Sequence, residues 1–258
     1  MKRTLFKYFV ELTGHPVSSA LLKSISQSPL SRPLIKPFAK AYGINEAEAE
    51  YAIETYGSLQ AYFTRNLKQG VRNIEPAPNV LVSPVDGVLS AAGKVEKEQT
   101  FIIKDYSYSI KQILGDEKIA KRYENGYYCI FYLSPSHYHH FHYPIDGKLI
   151  SRYALGTVSY PVNDLGLRLG DRPFATNYRL ISELETTFGQ VAIVKVGALN
   201  VNSIHINNNA KNCIKGEDFG YFSFGSTVIL FIEQHESFQL LQKPATNIMM
   251  GESIGIWT

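Results

Sequence analysis

Tyr127-Tyr128-Cys129-Ile130-Phe131-Tyr132-Leu133 is the longest apolar run in the chain, and at seven residues it reads as a buried strand. Its surroundings have the same style. From Val80 onward the apolar runs are short, rich in Val, Ile, Tyr and Phe, and separated by Gly, Asn, Asp and Pro. Further predicted strands are Leu81–Val82, Val88–Ala92, Phe101–Ile103, Lys148–Tyr153, Arg179–Thr186, Gly189–Val196, Ser203–Ile206 and Thr227–Glu233. Few helical patterns intervene, so this part of the chain is expected to be β-rich, in antiparallel or mixed sheets.

One echo runs through it. Pro84-Val85-Asp86-Gly87-Val88-Leu89 resembles Pro144-Ile145-Asp146-Gly147-Lys148-Leu149, 60 residues later. Pro fixes φ, Asp bonds nearby backbone and Gly permits positive φ, so each copy is a turn feeding a strand. Two such turns fit a body of pseudo-repeated halves; chance repetition of a common turn is the alternative.

Upstream the pattern is helical. Leu5, Phe6, Phe9 and Val10 form an apolar stripe; Leu21, Leu22 and Ile25 form a second; Leu34, Ile35, Phe38 and Ala39, after Pro33, form a third. Asn45 to Tyr56 reads as an acidic helix facing water, with Asn45 as cap and Glu48 at capping-box spacing. Ser58 is placed to cap a last helix, Leu59 to Leu67. The polar loop from Lys68 to Pro78 suggests a boundary. The expected architecture is α+β: an N-terminal helical region over residues 1–70, then a β-rich domain over 71–258.

Charge divides along the same line. The chain of 258 residues carries a net +3. Residues 1–40 hold seven Lys and Arg against Glu11 alone, giving +6 and leaving −3 for the rest. The overall excess is too small to suggest nucleic acid, but a basic amphipathic head suits anionic lipid. Packing of those stripes on the body is the other reading. No apolar stretch approaches the length of a membrane-spanning helix. Met1-Lys2-Arg3 is followed by apolar residues interrupted by Lys7 and Glu11, a poor secretory signal, so a cytoplasmic protein is expected. Cys129 and Cys213, both in apolar contexts, read as reduced core thiols.

Two segments carry chemistry. Four of the seven histidines, His137, His139, His140 and His142, lie in Ser134-Pro-Ser-His-Tyr-His-His-Phe-His-Tyr-Pro144. A metal site, acid–base catalysis and an incidental loop remain open by spacing alone. Against the metal stand the lack of Asp, Glu or Cys within the cluster and the opposed directions of adjacent His139 and His140. The second segment is Phe224-Gly225-Ser226-Thr227, directly before a hydrophobic strand. Gly permits a tight turn and leaves its carbonyl open to attack, and the next Ser can attack it if a base takes its proton. The resulting backbone ester, on β-elimination and hydrolysis, leaves a pyruvoyl group.

Taken together, Ser83-Pro-Val-Asp86-Gly, the Leu133–Pro144 segment, Val196-Gly-Ala198, Lys215-Gly-Glu217 and Phe224-Gly-Ser-Thr227 resemble the phosphatidylserine decarboxylase family, in order and spacing. Tyr62-Phe-Thr-Arg65-Asn-Leu67 and Ser159-Tyr-Pro-Val-Asn163 look like further family segments. The resemblance implies self-cleavage between Gly225 and Ser226, giving a β chain of 225 residues and a bound α chain of 33. It implies Ser226 as nucleophile and pyruvoyl precursor, His142 as its base, Asp86 as the group orienting that imidazole, and His139 as the acid of decarboxylation. Phosphatidylserine would condense as a Schiff base, lose CO2 and leave as phosphatidylethanolamine. No metal is implied. A peripheral position on the cytoplasmic face of the membrane and a homodimer are implied as well. Two places depart from the family: Phe224 stands where Leu is usual, and His140 and Ser136 stand where Arg is common. Rival readings are a pyruvoyl decarboxylase of a soluble amino-acid-like substrate, a non-catalytic membrane-binding homologue and, more distantly, a metal-dependent hydrolase.

Overall fold

The structure, a computed structural model, describes residues 24–95, 100–103, 106–157, 162, 172–198, 203–223 and 226–258. Its strands are β1 (Val80–Val82), β2 (Gly87–Lys94), β3 (Thr100–Ile103), β4 (Tyr106–Ser109), β5 (Tyr127–Leu133), β6 (His140–His142), β7 (Gly147–Leu155) and β8 (Arg179–Thr186). They continue with β9 (Gly189–Gly197), β10 (Ile204–Ile206), β11 (Asn212–Cys213), β12 (Asp218–Phe222), β13 (Ser226–Ile232), β14 (Phe238–Leu240), β15 (Thr246–Ile248) and β16 (Ser253–Trp257). The main sheet has eight strands in the order β11-β7-β8-β9-β13-β5-β2-β15. Three-stranded sheets β10-β12-β6 and β1-β16-β14 and the hairpin β3-β4 complete it. Neighbouring strands of the main sheet pair antiparallel throughout.

The apolar run Tyr127–Leu133 is β5, and it lies beside β13 along its whole length, from Leu133↔Ser226 to Tyr127↔Ile232. Alternation sends Val228, Leu230 and Ile232 into one core and Ile229 and Phe231 into a second on the opposite face. That double burial explains why these strands read as continuous apolar runs. Lys195 breaks the pattern: its fully buried amine donates to Ser182 Oγ at 2.6 Å, and burial holds its pKa well below the ordinary lysine range. Cys129 and Cys213 are free and buried, and burial pushes the Cys129 thiol up to about 12.

The sequence echo is structural. Val82 N donates to Pro144 O at 3.0 Å and His142 N donates to Pro84 O at 2.8 Å, a reciprocal exchange between positions 60 apart in sequence. Each turn is closed by a matching Gly-Glu pair. Ser83 N donates to Glu252 O and Tyr143 N to Glu217 O, while Gly251 N and Gly216 N donate back to Ser83 O and Tyr143 O. Gly251 and Gly216 hold φ of +90° and +81°, the left-handed region that favours glycine. Asp86 Oδ1 accepts from Met250 N at 2.8 Å and Asp146 Oδ1 from Lys215 N at 2.7 Å. Chance repetition does not produce this set of equivalent bonds; the body consists of two pseudo-repeated halves.

The helical region differs from expectation. Helix α1 (Ile35–Tyr42) follows a 3-10 turn at Pro29–Leu34 and ends at Gly43 in the left-handed conformation. It turns Ile35, Phe38 and Ala39 inward onto Ile53, Tyr56, Tyr62 and Phe63, so these three residues of the stripe pack on the chain itself, while Leu34 stays exposed. The Leu5–Val10 stripe lies outside the described residues. Over Asn45–Tyr56 there is no helix, only 3-10 turns at Glu46–Glu48 and Ile53–Thr55. The backbone there pairs elsewhere: Lys68 N donates to Glu48 O at 2.9 Å and Glu50 N to Asn66 O at 3.0 Å. The same pairing stops the next helix early. Helix α2 runs Leu59–Phe63, with Ser58 Oγ accepting from Ala61 N as the sequence suggested. The Lys68–Pro78 loop lies against the body, where Glu75 N donates to Gly251 O at 3.1 Å. Helices α3 (Ile110–Leu114) and α4 (Glu117–Arg122), which the sequence reading missed, cover the second core.

Candidate active site

Ser226 opens β13 between Leu133 of β5 and Gly197 of β9. It is fully buried, and its Oγ has no hydrogen-bond partner. The histidine segment leaves β5 immediately after Leu133 and returns as β6, which pairs with β12, so the strand before Ser226 and the histidines share one small sheet. Gly225 and Phe224, between β12 and β13, lie outside the described residues, as do 159–161 and 163 of the Ser159–Asn163 segment.

The four histidines fall into different environments. His142 Nδ1 donates to Gly216 O at 2.9 Å, which fixes the tautomer and leaves the Nε2 lone pair free; Nε2 is buried without a partner. Burial lowers its pKa against the opposing pull of Asp218 and the Gly216 bond, so it is an unprotonated base at neutral pH. His139 is arranged alike, with Nδ1 donating to His137 O at 2.8 Å and Nε2 buried and unpartnered. Its pKa is held well below the usual value, by burial first and then by Arg65 and His137. His140 has partners on both sides, Asp218 Oδ2 at 2.7 Å from Nδ1 and Thr64 O at 3.1 Å from Nε2. Its ring stacks between Tyr138 at 4.8 Å and Tyr221 at 5.2 Å. Burial raises the Asp218 pKa, but the His140 hydrogen bond and charge outweigh it and hold this carboxyl below its ordinary range. His137 Nδ1 accepts from Ser134 N at 2.9 Å, and burial lowers its pKa.

Asp86 is buried but is not hydrogen-bonded to His142. Arg72 takes it instead: Nε lies 3.0 and 3.1 Å from the two carboxylate oxygens and Nη2 lies 2.5 Å from Oδ2. Nη2 also reaches Glu48 Oε2 at 2.8 Å. A guanidinium fork offers several charge-assisted bonds, more than one imidazole N–H can match. Orientation of His142 therefore comes from the Gly216 carbonyl, and Asp86 acts on that ring only as a nearby negative charge. Asp86 and His142, which the resemblance pairs, are not hydrogen-bonded to each other in this structure.

Two arginines and a glycine carbonyl thus belong to the site without having been singled out for it. Arg65 and Lys215-Gly216-Glu217 were visible only as segments of the resemblance, because sequence alone does not show that an arginine is buried. Among the described residues no three His, Cys, Asp or Glu side chains are grouped to hold a metal ion.

A buried serine hydroxyl at a strand start and an imidazole of fixed tautomer on the adjoining small sheet are the groups that proteins doing nucleophilic chemistry on a backbone or acyl group use. The chain belongs to the phosphatidylserine decarboxylase family, whose pattern it matches over residues 59–256. It is 46% identical over 258 residues to a phosphatidylserine decarboxylase proenzyme of Halalkalibacterium halodurans, covering 100% of this chain and 99% of the relative. Proenzymes of the same name from Anoxybacillus flavithermus and Geobacillus kaustophilus are each 45% identical. The first covers 99% of this chain and 97% of the relative, the second 100% and 98%.

Proposed function

We infer that this chain is a proenzyme that cleaves itself before Ser226 and then decarboxylates phosphatidylserine to phosphatidylethanolamine. Family membership over the whole chain supports the activity; the buried, unpartnered Ser226 hydroxyl carries the reading of the site. In the proposed processing step, His142 Nε2 takes the Ser226 hydroxyl proton. Oγ then bonds the Gly225 carbonyl carbon, the Gly225–Ser226 C–N bond breaks, and the freed nitrogen takes the proton. Loss of the Ser226 Cα proton expels Gly225 as a carboxylate and leaves dehydroalanine. Water adds at the α-carbon and ammonia departs, giving the pyruvoyl group.

An orphaned hydroxyl on a strand start fits such a group, since its replacement by a ketone removes a donor that has no acceptor. The pyruvoyl group supplies a ketone that takes up the substrate amine and draws electrons as CO2 leaves. His139 Nε2 carries the proton that replaces the carboxylate at Cα. After cleavage the α chain stays bound because β13 is hydrogen-bonded on both edges.

The substrate places the enzyme at a bilayer surface, and we propose peripheral docking there, on the cytoplasmic face. No helix among the described residues is long and apolar enough to cross a membrane. Exposed Leu30 and Leu34 beside Lys36 and Arg32, together with the basic residues upstream, are the proposed contact. Liposome flotation with residues 1–34 deleted should show reduced binding; undiminished binding removes this face. The central test is the intact mass of purified active protein. Two chains split between residues 225 and 226, the smaller blocked to Edman chemistry, are expected; one intact chain in active protein ends the mechanism.

A further inference from the structure

Arg65 is 4% exposed and has no carboxylate partner among the described residues. Its Nε is buried without any acceptor, and its hydrogen bond is a long one from Nη1 to Tyr62 O, 3.4 Å. The Tyr62 ring lies 5.2 Å from the guanidinium carbon. The carboxylates in electrostatic reach, Asp86 and Glu48, are both taken by Arg72. A buried guanidinium without a contacting anion is costly unless an anion arrives. Its surroundings say where. Phe63 packs on His139 with ring centroids 3.9 Å apart, and Thr64 O binds His140. The segment carrying Arg65 therefore lies on the histidine segment, and Arg65 is close enough to disfavour a proton on His139.

We propose that Arg65 holds the phosphodiester of the lipid substrate beside His139 and so sets affinity for the headgroup. The proposal rests on the decarboxylase reading above and deepens it. The substrate offers two anions, and chemistry separates them. Its carboxylate leaves as neutral CO2, so a guanidinium clamped on it would stabilise the ground state more than the transition state and slow the reaction. The phosphodiester keeps its charge throughout, and binding it uniformly lowers KM without touching kcat. Arginine matches a phosphodiester with two parallel N–H donors, which lysine does not.

The test uses the self-cleaved enzyme, a dispersed short-chain phosphatidylserine, and two competing ligands. Glycerophosphoethanolamine carries amine and phosphodiester without a carboxylate; O-acetyl-L-serine carries amine and carboxylate without a phosphate. Self-cleavage on a gel reports that Arg65→Gln has folded. Arg65→Gln should raise KM, and the inhibition constant of glycerophosphoethanolamine, about 10- to 100-fold, the loss expected for a buried charge-assisted bond. The constant for O-acetyl-L-serine should stay within about twofold. An equal or larger rise for O-acetyl-L-serine, or no rise for either ligand, overturns the proposal. If Arg65→Gln does not self-cleave, Arg65→Lys decides: a KM and glycerophosphoethanolamine constant raised severalfold support the fork, and wild-type values overturn it.

Discussion

Strand β13 changes character within seven residues. From Val228 to Ile232 it is apolar, fully buried and flanked on both edges by paired strands. At Ser226 and Thr227 it is just as buried, yet both hydroxyls lack a partner. A buried polar atom left unpaired costs about 1–3 kcal/mol, so a strand serving stability alone would carry Val or Ile at those positions. The histidine segment repeats the contrast. His140 is bonded through both nitrogens, whereas His139 and His142 each leave Nε2 unpartnered. Under the proposed mechanism, two of these unpaired atoms react: the Ser226 hydroxyl attacks and His142 Nε2 takes its proton. On the proposed function one stretch of β13 holds the fold and the other holds a reactant, and substitutions should pull these apart.

The largest effect is expected at Ser226. Ser226→Ala should abolish self-cleavage and all decarboxylase activity while leaving thermal stability unchanged or raised, because an orphaned hydroxyl is removed. A large fall in melting temperature would mean that Ser226 serves the fold, and the contrast along β13 would fail. His142→Ala comes next. Loss of a positioned base costs about 10²–10⁴-fold, so cleavage followed by gel should slow by that factor. Because the His142 pKa is lowered by burial, its base form persists as pH falls through the ordinary histidine range. Wild-type cleavage should therefore be flat above about pH 6.5 and decline only below it. His139→Ala should cleave normally but turn over about 10²-fold more slowly.

Much of this was legible in sequence and some was not, for definable reasons. Tyr127–Leu133 and Arg179–Thr186 were predicted to the residue, because strands buried in the middle of a sheet announce themselves by composition. The two Pro-x-Asp-Gly turns were visible, but the matching Gly216 and Gly251 turns that close them, 35 residues apart, were not. Their likeness is a shared backbone conformation with little shared sequence. The helix predicted over Asn45–Tyr56 failed because local capping chemistry was satisfied while the backbone paired with residues 66–68. Strand β6 was missed since three residues, two of them histidine, carry no strand signature. Ser226, His142 and His139 were named from the resemblance. The partner of Asp86 could not be, because Arg72 lies across a loop that only the fold closes.

At the apolar end of β13 the expected effect is on stability alone. Leu230 is fully buried between Ile193 and Cys129. Leu230→Ala should cost about 2–5 kcal/mol in denaturant unfolding, through lost transfer energy and the cavity left behind. The protein that remains folded should self-cleave at the wild-type rate. A fall in cleavage beyond the loss of folded protein would show that the two ends of the strand are coupled.

The smallest effect, and the sharpest probe, is expected at Thr227. Its hydroxyl is buried and unpartnered like that of Ser226, but strand alternation sends it to the opposite face, with Ile229 and Phe231. It lies beside Tyr132 and Val196 and away from the face that carries Ser226. On geometry it should take no proton and attack nothing. Thr227→Val keeps the branched shape and deletes the orphaned oxygen, so it should raise stability by about 1 kcal/mol and leave cleavage and turnover unchanged. If cleavage slows instead, this hydroxyl works during processing, and the division between reactant and scaffold lies one residue deeper into β13, at Val228.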